Sequence, residues 1–245
     1  MAGLQHLTPL SPPEAALALD VHVGEVVALV GGGGKTSLMF ALGCHHGAGT
    51  VLTTTTRMDS RWTGDATVLL RPTPDQLAEA LGKADPVLVW DRIDGDKAVG
   101  VGPSVPATWS PHADRVIVEA DGSRGMPAKA PGPHEPVLPD DATTVVAVMG
   151  ADSLDRVIED RCHRPLRVAA VVGCSPYERL NPERAASLLL HPDGSRRGVG
   201  ESQRFTVAIT KVGLTNRTLV DHLVSELRDR SPTTGIVLIA DMDQG

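Results

Sequence analysis

The chain has 245 residues, 41% hydrophobic and 22% charged, with 30 acidic residues against 23 Lys and Arg for a formal charge of -7. That composition fits a globular α/β protein, and the acidic balance, the lack of a basic run and only six aromatics (Phe 2, Tyr 1, Trp 3) argue against a nucleic-acid partner. No apolar run approaches the roughly 18 residues of a membrane span, no secretory leader is visible before Asp20, and three cysteines cannot all pair with one another, so a cytoplasmic protein without membrane association is expected.

Ser11 before Pro12 opens a first helix. A strand follows over Glu25 to Val30, then a glycine loop, then a helix through Leu38 to Leu42. Further strands are expected at Thr50 to Thr54, Thr67 to Leu70, Val87 to Trp90, Arg115 to Glu119, Thr143 to Met149, Phe205 to Thr210 and Gly235 to Ala240. Thr73 before Pro74 opens a helix through Leu77, Ala80 and Leu81, and Asn181 before Pro182 opens another. Between Thr215 and Arg230, Leu219, Val220, Leu223, Val224 and Leu227 recur at helical spacing and define one apolar face.

Runs such as VVALV, VVAVM and IVLIA are apolar throughout, as strands covered on both faces must be. The expected class is therefore α/β, a mostly parallel sheet with helices on both faces, of the P-loop NTPase type. Residues 1–245 read as one P-loop nucleotide-binding domain, with an irregular insert or loop region around 122–203. Irregular stretches are also expected at Asp94 to His112, at Gly122 to Pro139 with its five prolines, and at His191 to Gln203.

The glycine loop concentrates the chemistry. Gly31, Gly32, Gly33 and Gly34 let the backbone turn tightly and aim N–H groups inward, while the next helix offers its positive end, so the unit is an anion site. Lys35 is placed to meet β- and γ-phosphates, Thr36 to put its hydroxyl on Mg²⁺, and Ser37 completes the helix start. A full Walker A loop would have glycine where Leu29 stands, so only the later half of that motif agrees. Val30 likewise occupies the place of the signature lysine of deviant P-loop ATPases.

Arg115-Val-Ile-Val-Glu119-Ala-Asp121 is an apolar strand ending in two carboxylates, as a Walker B element should be. Asp121 is the first choice for the metal, with Thr36, and Glu119 competes with it; either one orients a nucleophile. Arg124 and Lys129, in the proline-rich segment that follows, are candidates for neutralising phosphate charge. The run Thr53 to Thr56 ends the second strand at the ligand-facing edge of an α/β sheet, which makes Thr55 and Thr56 candidates for the phosphate or Mg²⁺ shell. Late in the chain, Thr210-Lys211-Val212-Gly213 stands where guanine readers carry N/T-K-x-D. Gly213 replaces the carboxylate that reads guanine, and Lys211 remains to pack its stem over a base or ribose. Cys162, beside His163 and Arg164, reads either as a polarised thiol or, preferably, as a packed one.

VGGGGKTSL, TTTTRM, EADGSRGMPAKAPGPHEPVLP, Arg161-Cys-His-Arg164-Pro165 and the strand before TKVG together resemble the selenium-dependent hydroxylase accessory protein family, the YqeC-like P-loop proteins. The likeness runs from about Glu25 to Gly213. It implies a nucleotide-binding protein that assists maturation of molybdenum hydroxylases, with a hydroxylase or its cofactor as partner. The resulting expectation is an Mg²⁺-dependent protein that binds a nucleoside triphosphate, ATP or GTP, and hydrolyses it or handles its phosphoryl or nucleotidyl group. Lys35, Glu119 and Asp121 carry the chemistry in that reading. A non-catalytic nucleotide-switched module and a small-molecule kinase are the alternatives.

Overall fold

Val27 and Leu29 of the first strand pack with Leu38, Met39 and Leu42, whereas Ala28 and Val30, between them, pack with residues of the opposite face, including Ala147 and Met149. Because successive side chains leave a strand on opposite faces, such a segment is stable only with cover on both sides. The computed structural model describes residues 7–241 and has this layered architecture.

In chain order the elements are α1 (Pro12–Ala18), β1 (Glu25–Gly31), α2 (Lys35–His46), β2 (Thr50–Thr54), β3 (Arg57–Asp59), β4 (Thr67–Leu70), α3 (Pro74–Leu81), β5 (Val87–Trp90), β6 (Arg92–Asp94) and β7 (Lys97–Val99). They continue with β8 (Arg115–Glu119), β9 (Ala128–Lys129), β10 (Thr144–Gly150), α4 (Ile158–Arg161), β11 (Cys162–His163), α5 (Pro165–Val172), α6 (Pro182–Leu190), β12 (Arg204–Val212), α7 (Arg217–Arg230) and β13 (Gly235–Ala240).

The central sheet has eight strands in the order β13-β12-β10-β1-β8-β2-β5-β4, and every pairing in it is parallel. These are the eight strands expected from the apolar runs. Strands β2, β4, β5, β8 and β13 coincide with expectation end to end, β1 extends to Gly31, β10 sits one residue later, and β12 extends to Val212. The fold class is thus α/β with a parallel sheet covered on both faces.

Helix starts follow the expected caps. Glu14 accepts the Ser11 N–H at 2.8 Å, Thr73 accepts from Gln76 N–H at 3.3 Å, and Asn181 accepts from Arg184 N–H at 3.0 Å. Each ties off a backbone donor that the helix itself leaves without a partner. The α7 face built from Val220, Leu223, Val224 and Leu227 is buried.

Several short elements lie where irregular chain was expected. β3, β7 and β6 form a three-stranded antiparallel sheet apart from the central one, and β9 pairs with β11. α4, β11 and α5 lie within 122–203, together with β10 and α6. A strand of two or three residues is too short to show a hydrophobic period, and Pro165–Val172 is an apolar run that reads equally as strand or helix.

Candidate functional site

β1 lies between β10 and β8, so the glycine loop at its end emerges next to the acidic end of β8. The chain continues from β1 to β2 on one side of this point and returns to β10 on the other, the arrangement that opens a crevice at the carboxyl ends of parallel strands. Register places Leu29 opposite Glu119, and Glu119 opposite Thr54 of β2.

The loop is held by packing on both sides. A Cβ on Gly31 would lie 2.3 Å from Val148 O, one on Gly32 2.5 Å from Met126 O, and one on Gly33 2.3 Å from Gly150 N. Gly31, Gly33 and Gly34 have φ of 98°, 78° and 113°, a region open to glycine at little cost.

The expected roles of three of the four glycine amides need correction. Gly31 N–H donates to both oxygens of Asp121 at 3.0 and 3.1 Å, Gly32 N–H to Val148 O at 2.9 Å, and Gly33 N–H to Met126 O at 3.1 Å. These three amides build the loop and are not aimed at a ligand. The amides that helix geometry leaves without intrahelical partners begin at Gly34 and run into the first turn of α2.

Thr36 donates its hydroxyl to Glu119 Oε2 at 2.7 Å, so the expected pairing of Thr36 with Asp121 is replaced by one with Glu119. Asp121 is 2% exposed and fully engaged: besides Gly31 N–H it has Lys35 Nζ at 3.3 Å and Lys129 Nζ at 3.0 Å. Lys35 donates to Gly31 O at 2.6 Å and stands 3.9 Å from Glu119. Burial pushes the Glu119 carboxyl above the usual range, opposed by Lys35 and by the Thr36 hydroxyl.

Lys129 also departs from expectation. It is 2% exposed, donating to Gly122 O at 2.8 Å and to Glu135 at 2.6 Å, so its charge serves Asp121 and Glu135 rather than a ligand. Arg164 completes the chain with a two-pronged contact to Glu135 at 2.6 and 3.0 Å. Burial raises the Glu135 pKa, but hydrogen bonds from Arg164 and Lys129 outweigh it and hold the carboxyl at about 2. Cys162 is buried, which pushes its thiol up to about 12; this is the packed reading of that cysteine.

Thr55 and Thr56 lie at the end of β2, but neither lines the cleft beside the loop. Thr55 donates to Val137 O at 2.6 Å, and the Thr56 hydroxyl is 3.1 Å from that of Thr54, which itself donates to Glu119 O at 2.8 Å. These hydroxyls tie the end of β2 to the end of β8 and to the irregular segment at Val137.

Two clefts border the loop. The larger, about 560 Å³, is lined by residues from Gly33 to Ser37, by Glu119 and by the Gly122 to Gly125 turn. Its walls carry five cationic side chains, Lys35, Arg57, Lys97, Arg124 and Lys211, against Asp59 and Glu119. Of the five, Arg57 and Lys97 were not anticipated, nor were Asp59 and Trp62 on the same rim. They sit on or beside the three-residue strands β3 and β7, which leave no periodic signal. The smaller cleft, about 380 Å³, shares Gly33, Gly34, Ser37 and Lys211 and adds Pro12, Leu38, Thr210, Ile239, Ala240 and Asp241. Lys211, at φ 55°, pairs with Asp152 at 3.1 Å, and Thr210 donates its hydroxyl to Gly33 O.

No helix among the described residues is long and apolar enough to cross a membrane. Residues 27–166 match the family described as YqeC protein. The chain is also 34% identical over 206 residues to the YqeC protein of Escherichia coli (strain K12), covering 78% of each chain. The glycine loop, the acidic strand end and the segment through Arg164 all fall inside the matched region, and the chain belongs to the YqeC family.

Proposed function

We propose that this protein is an Mg²⁺-dependent nucleoside triphosphate-binding accessory protein of the P-loop type, acting in the maturation of molybdenum hydroxylases. The observation that carries the nucleotide reading is the 2.7 Å contact between Thr36 and Glu119 at the base of a cation-rich cleft. In this reading the amides from Gly34 to Ser37 and the Lys35 ammonium hold the phosphates, with Arg124 at the outer edge. Thr36 and Glu119 hold Mg²⁺, in place of Thr36 and Asp121. A buried carboxylate beside a hydroxyl fits a hard divalent ion, because the ion supplies the positive charge that burial otherwise denies Glu119. Bound there, it would neutralise charge developing between the β- and γ-phosphates.

Lys35 leaves Gly31 O for the phosphates, and Asp121 keeps Lys129 as its buried partner. Glu119 also stands where it can position a water for hydrolysis. The base lies in the smaller cleft, between the Lys211 stem and the apolar residues Pro12, Ile239 and Ala240. The role in hydroxylase maturation, with a hydroxylase or its cofactor as partner, rests on the resemblance of the VGGGGKTSL and EADGSRGMPAKAPGPHEPVLP segments to the selenium-dependent hydroxylase accessory proteins.

Calorimetric titration with Mg–ATP and Mg–GTP tests the binding reading. Micromolar affinity in the wild type that falls at least tenfold in Lys35→Ala is expected, and equal affinity in the two proteins rejects the site. Phosphate release on addition of hydroxylase and its cofactor separates hydrolysis from a nucleotide-switched binding role.

A further inference from the structure

The larger cleft extends beyond anything the phosphate loop needs, onto a rim built from the separate antiparallel sheet. Arg57 and Lys97 come from β3 and β7, Trp62 and Asp59 lie beside them, and Arg124 faces them from the Gly122 to Gly125 turn. Trp62 is 56% exposed, whereas Trp90 and Trp109 are buried. An indole left in water beside several cations, in a chain so poor in aromatics, is a stacking surface with charge at hand. The rim cations are only loosely engaged. Arg57 meets Asp94 at 3.1 Å with both side chains more than half exposed, and Lys97 stands 3.6 Å from Asp59 and from Asp96. Exposed pairs of this kind contribute little and exchange readily for a better anion.

From this we infer that the outer half of the cleft is a second ligand site for a planar, anionic small molecule, a flat ring carrying a phosphate or carboxylate. The ring lies on Trp62 and its charge is met by Arg57 and Lys97, with Arg124 between this ligand and the phosphate loop. The inference rests on the nucleotide reading for one point only. A triphosphate laid along Gly34 to Ser37, with its base in the smaller cleft, leaves the outer rim open.

The test uses flavin mononucleotide as the planar anion and riboflavin as its uncharged counterpart, titrated into the full chain with and without saturating Mg–ADP. Flavin fluorescence reports affinity, and its quenching reports contact with an indole. Flavin mononucleotide is expected to bind at least tenfold more tightly than riboflavin, with Mg–ADP present or absent. The R57A/K97A double variant should erase that preference, Trp62→Ala should remove the quenching, and Mg–ATP affinity should stay within threefold in both.

Equal affinity for the two flavins, or a preference that survives R57A/K97A, overturns the proposal. So does competition with Mg–ADP together with loss of flavin binding in Lys35→Ala, since the anion would then sit on the phosphate loop. If the expected flavin pattern appears while Mg–ATP fails to bind, the rim site stands and the nucleotide reading falls.

Discussion

The Lys129 ammonium lies 3.0 Å from Asp121 Oδ2, with both side chains almost wholly buried. Asp121 holds the first amide of the glycine loop, and Lys129 reaches on to Glu135, which Arg164 grips from the other side. One chain of charges therefore joins the base of the loop to the proline-rich segment and to the start of α5. Removing one member of a buried pair leaves the other uncompensated, at a cost of about 3–5 kcal/mol. Lys129→Met is expected to lose stability on that scale in urea unfolding. Adding Asp121→Asn should recover at least about 1 kcal/mol relative to the sum of the single effects. Strict additivity would mean that the two side chains are not energetically joined.

The distinct partners of Glu119 and Asp121 make separable predictions for metal dependence. Glu119 meets Thr36, whereas Asp121 has its oxygens taken by Gly31 N–H, Lys35 and Lys129. Glu119→Gln keeps the shape but removes the one carboxylate proposed to hold the metal, so the gain in nucleotide affinity on adding Mg²⁺ should fall at least about tenfold, or 1.4 kcal/mol. Asp121→Asn should retain that gain while lowering stability. The reverse pattern, seen by titration with and without Mg²⁺, would return the metal to Asp121.

What the sequence made legible follows from the length of its signals. The eight central strands are runs rich in Val, Ile, Leu and Thr bounded by Gly, Pro or Asp, and three of the helices that open with proline are marked by Ser11, Thr73 or Asn181, whereas α5, behind Arg164, is not. Lys35, Thr36, Arg124 and Lys211 were identified and do line the larger cleft. The partner of Thr36 was not legible. Glu119 and Asp121 are two residues apart, and which one meets Thr36 depends on where β8 stops pairing: Glu119 still pairs with Leu29, while Asp121 lies beyond the strand and turns under Gly31. Arg57, Trp62 and Lys97 were hidden for another reason, since strands of three residues carry no period.

Gly33 and Gly34 are neighbours with different constraints. At Gly33 a Cβ meets Gly150 N at 2.3 Å and Pro127 O at 2.9 Å, backbone atoms that cannot move aside singly. At Gly34 the nearest atoms are 3.8 Å away, and the obstacle is φ of 113° alone. Gly34→Ala should cost about 1–3 kcal/mol from backbone strain and leave a folded protein. Gly33→Ala should cost more, visible as a larger fall in thermal midpoint. Equal effects would show that the loop moves as freely from Gly150 at one position as at the other.

Base selectivity should be loose. Gly213 brings no side chain, its N–H is capped by Asn216 at 2.9 Å, and the smaller cleft sets the apolar Pro12, Leu38, Ile239 and Ala240 beside Ser37, Thr210, Lys211 and Asp241. Competition titrations are expected to separate ATP from GTP by less than about a hundredfold, or 2.7 kcal/mol. A larger ratio would mean that Asp241 or Thr210 on that wall reads the base.

Glu135 sets the acid side of the stability profile. Its carboxyl is held at about 2 in the folded protein against an ordinary 4.5, so the native state keeps it ionised where the unfolded chain takes up a proton. A depressed carboxylate contributes stability that is full above the unfolded value and is lost as pH falls toward the folded one. The shift corresponds to an order of 3 kcal/mol, fading between about pH 4.5 and pH 2. Glu135→Gln removes the titration and leaves a pH-independent loss of hydrogen bonding to Lys129 and Arg164. The difference in urea midpoint between wild type and variant should therefore be largest above pH 5 and narrow steadily as pH falls toward the acid limit of the native state. A constant difference would mean that Lys129 and Arg164 do not stabilise the ionised carboxyl, and the buried chain from Asp121 to Arg164 would lose its outer link.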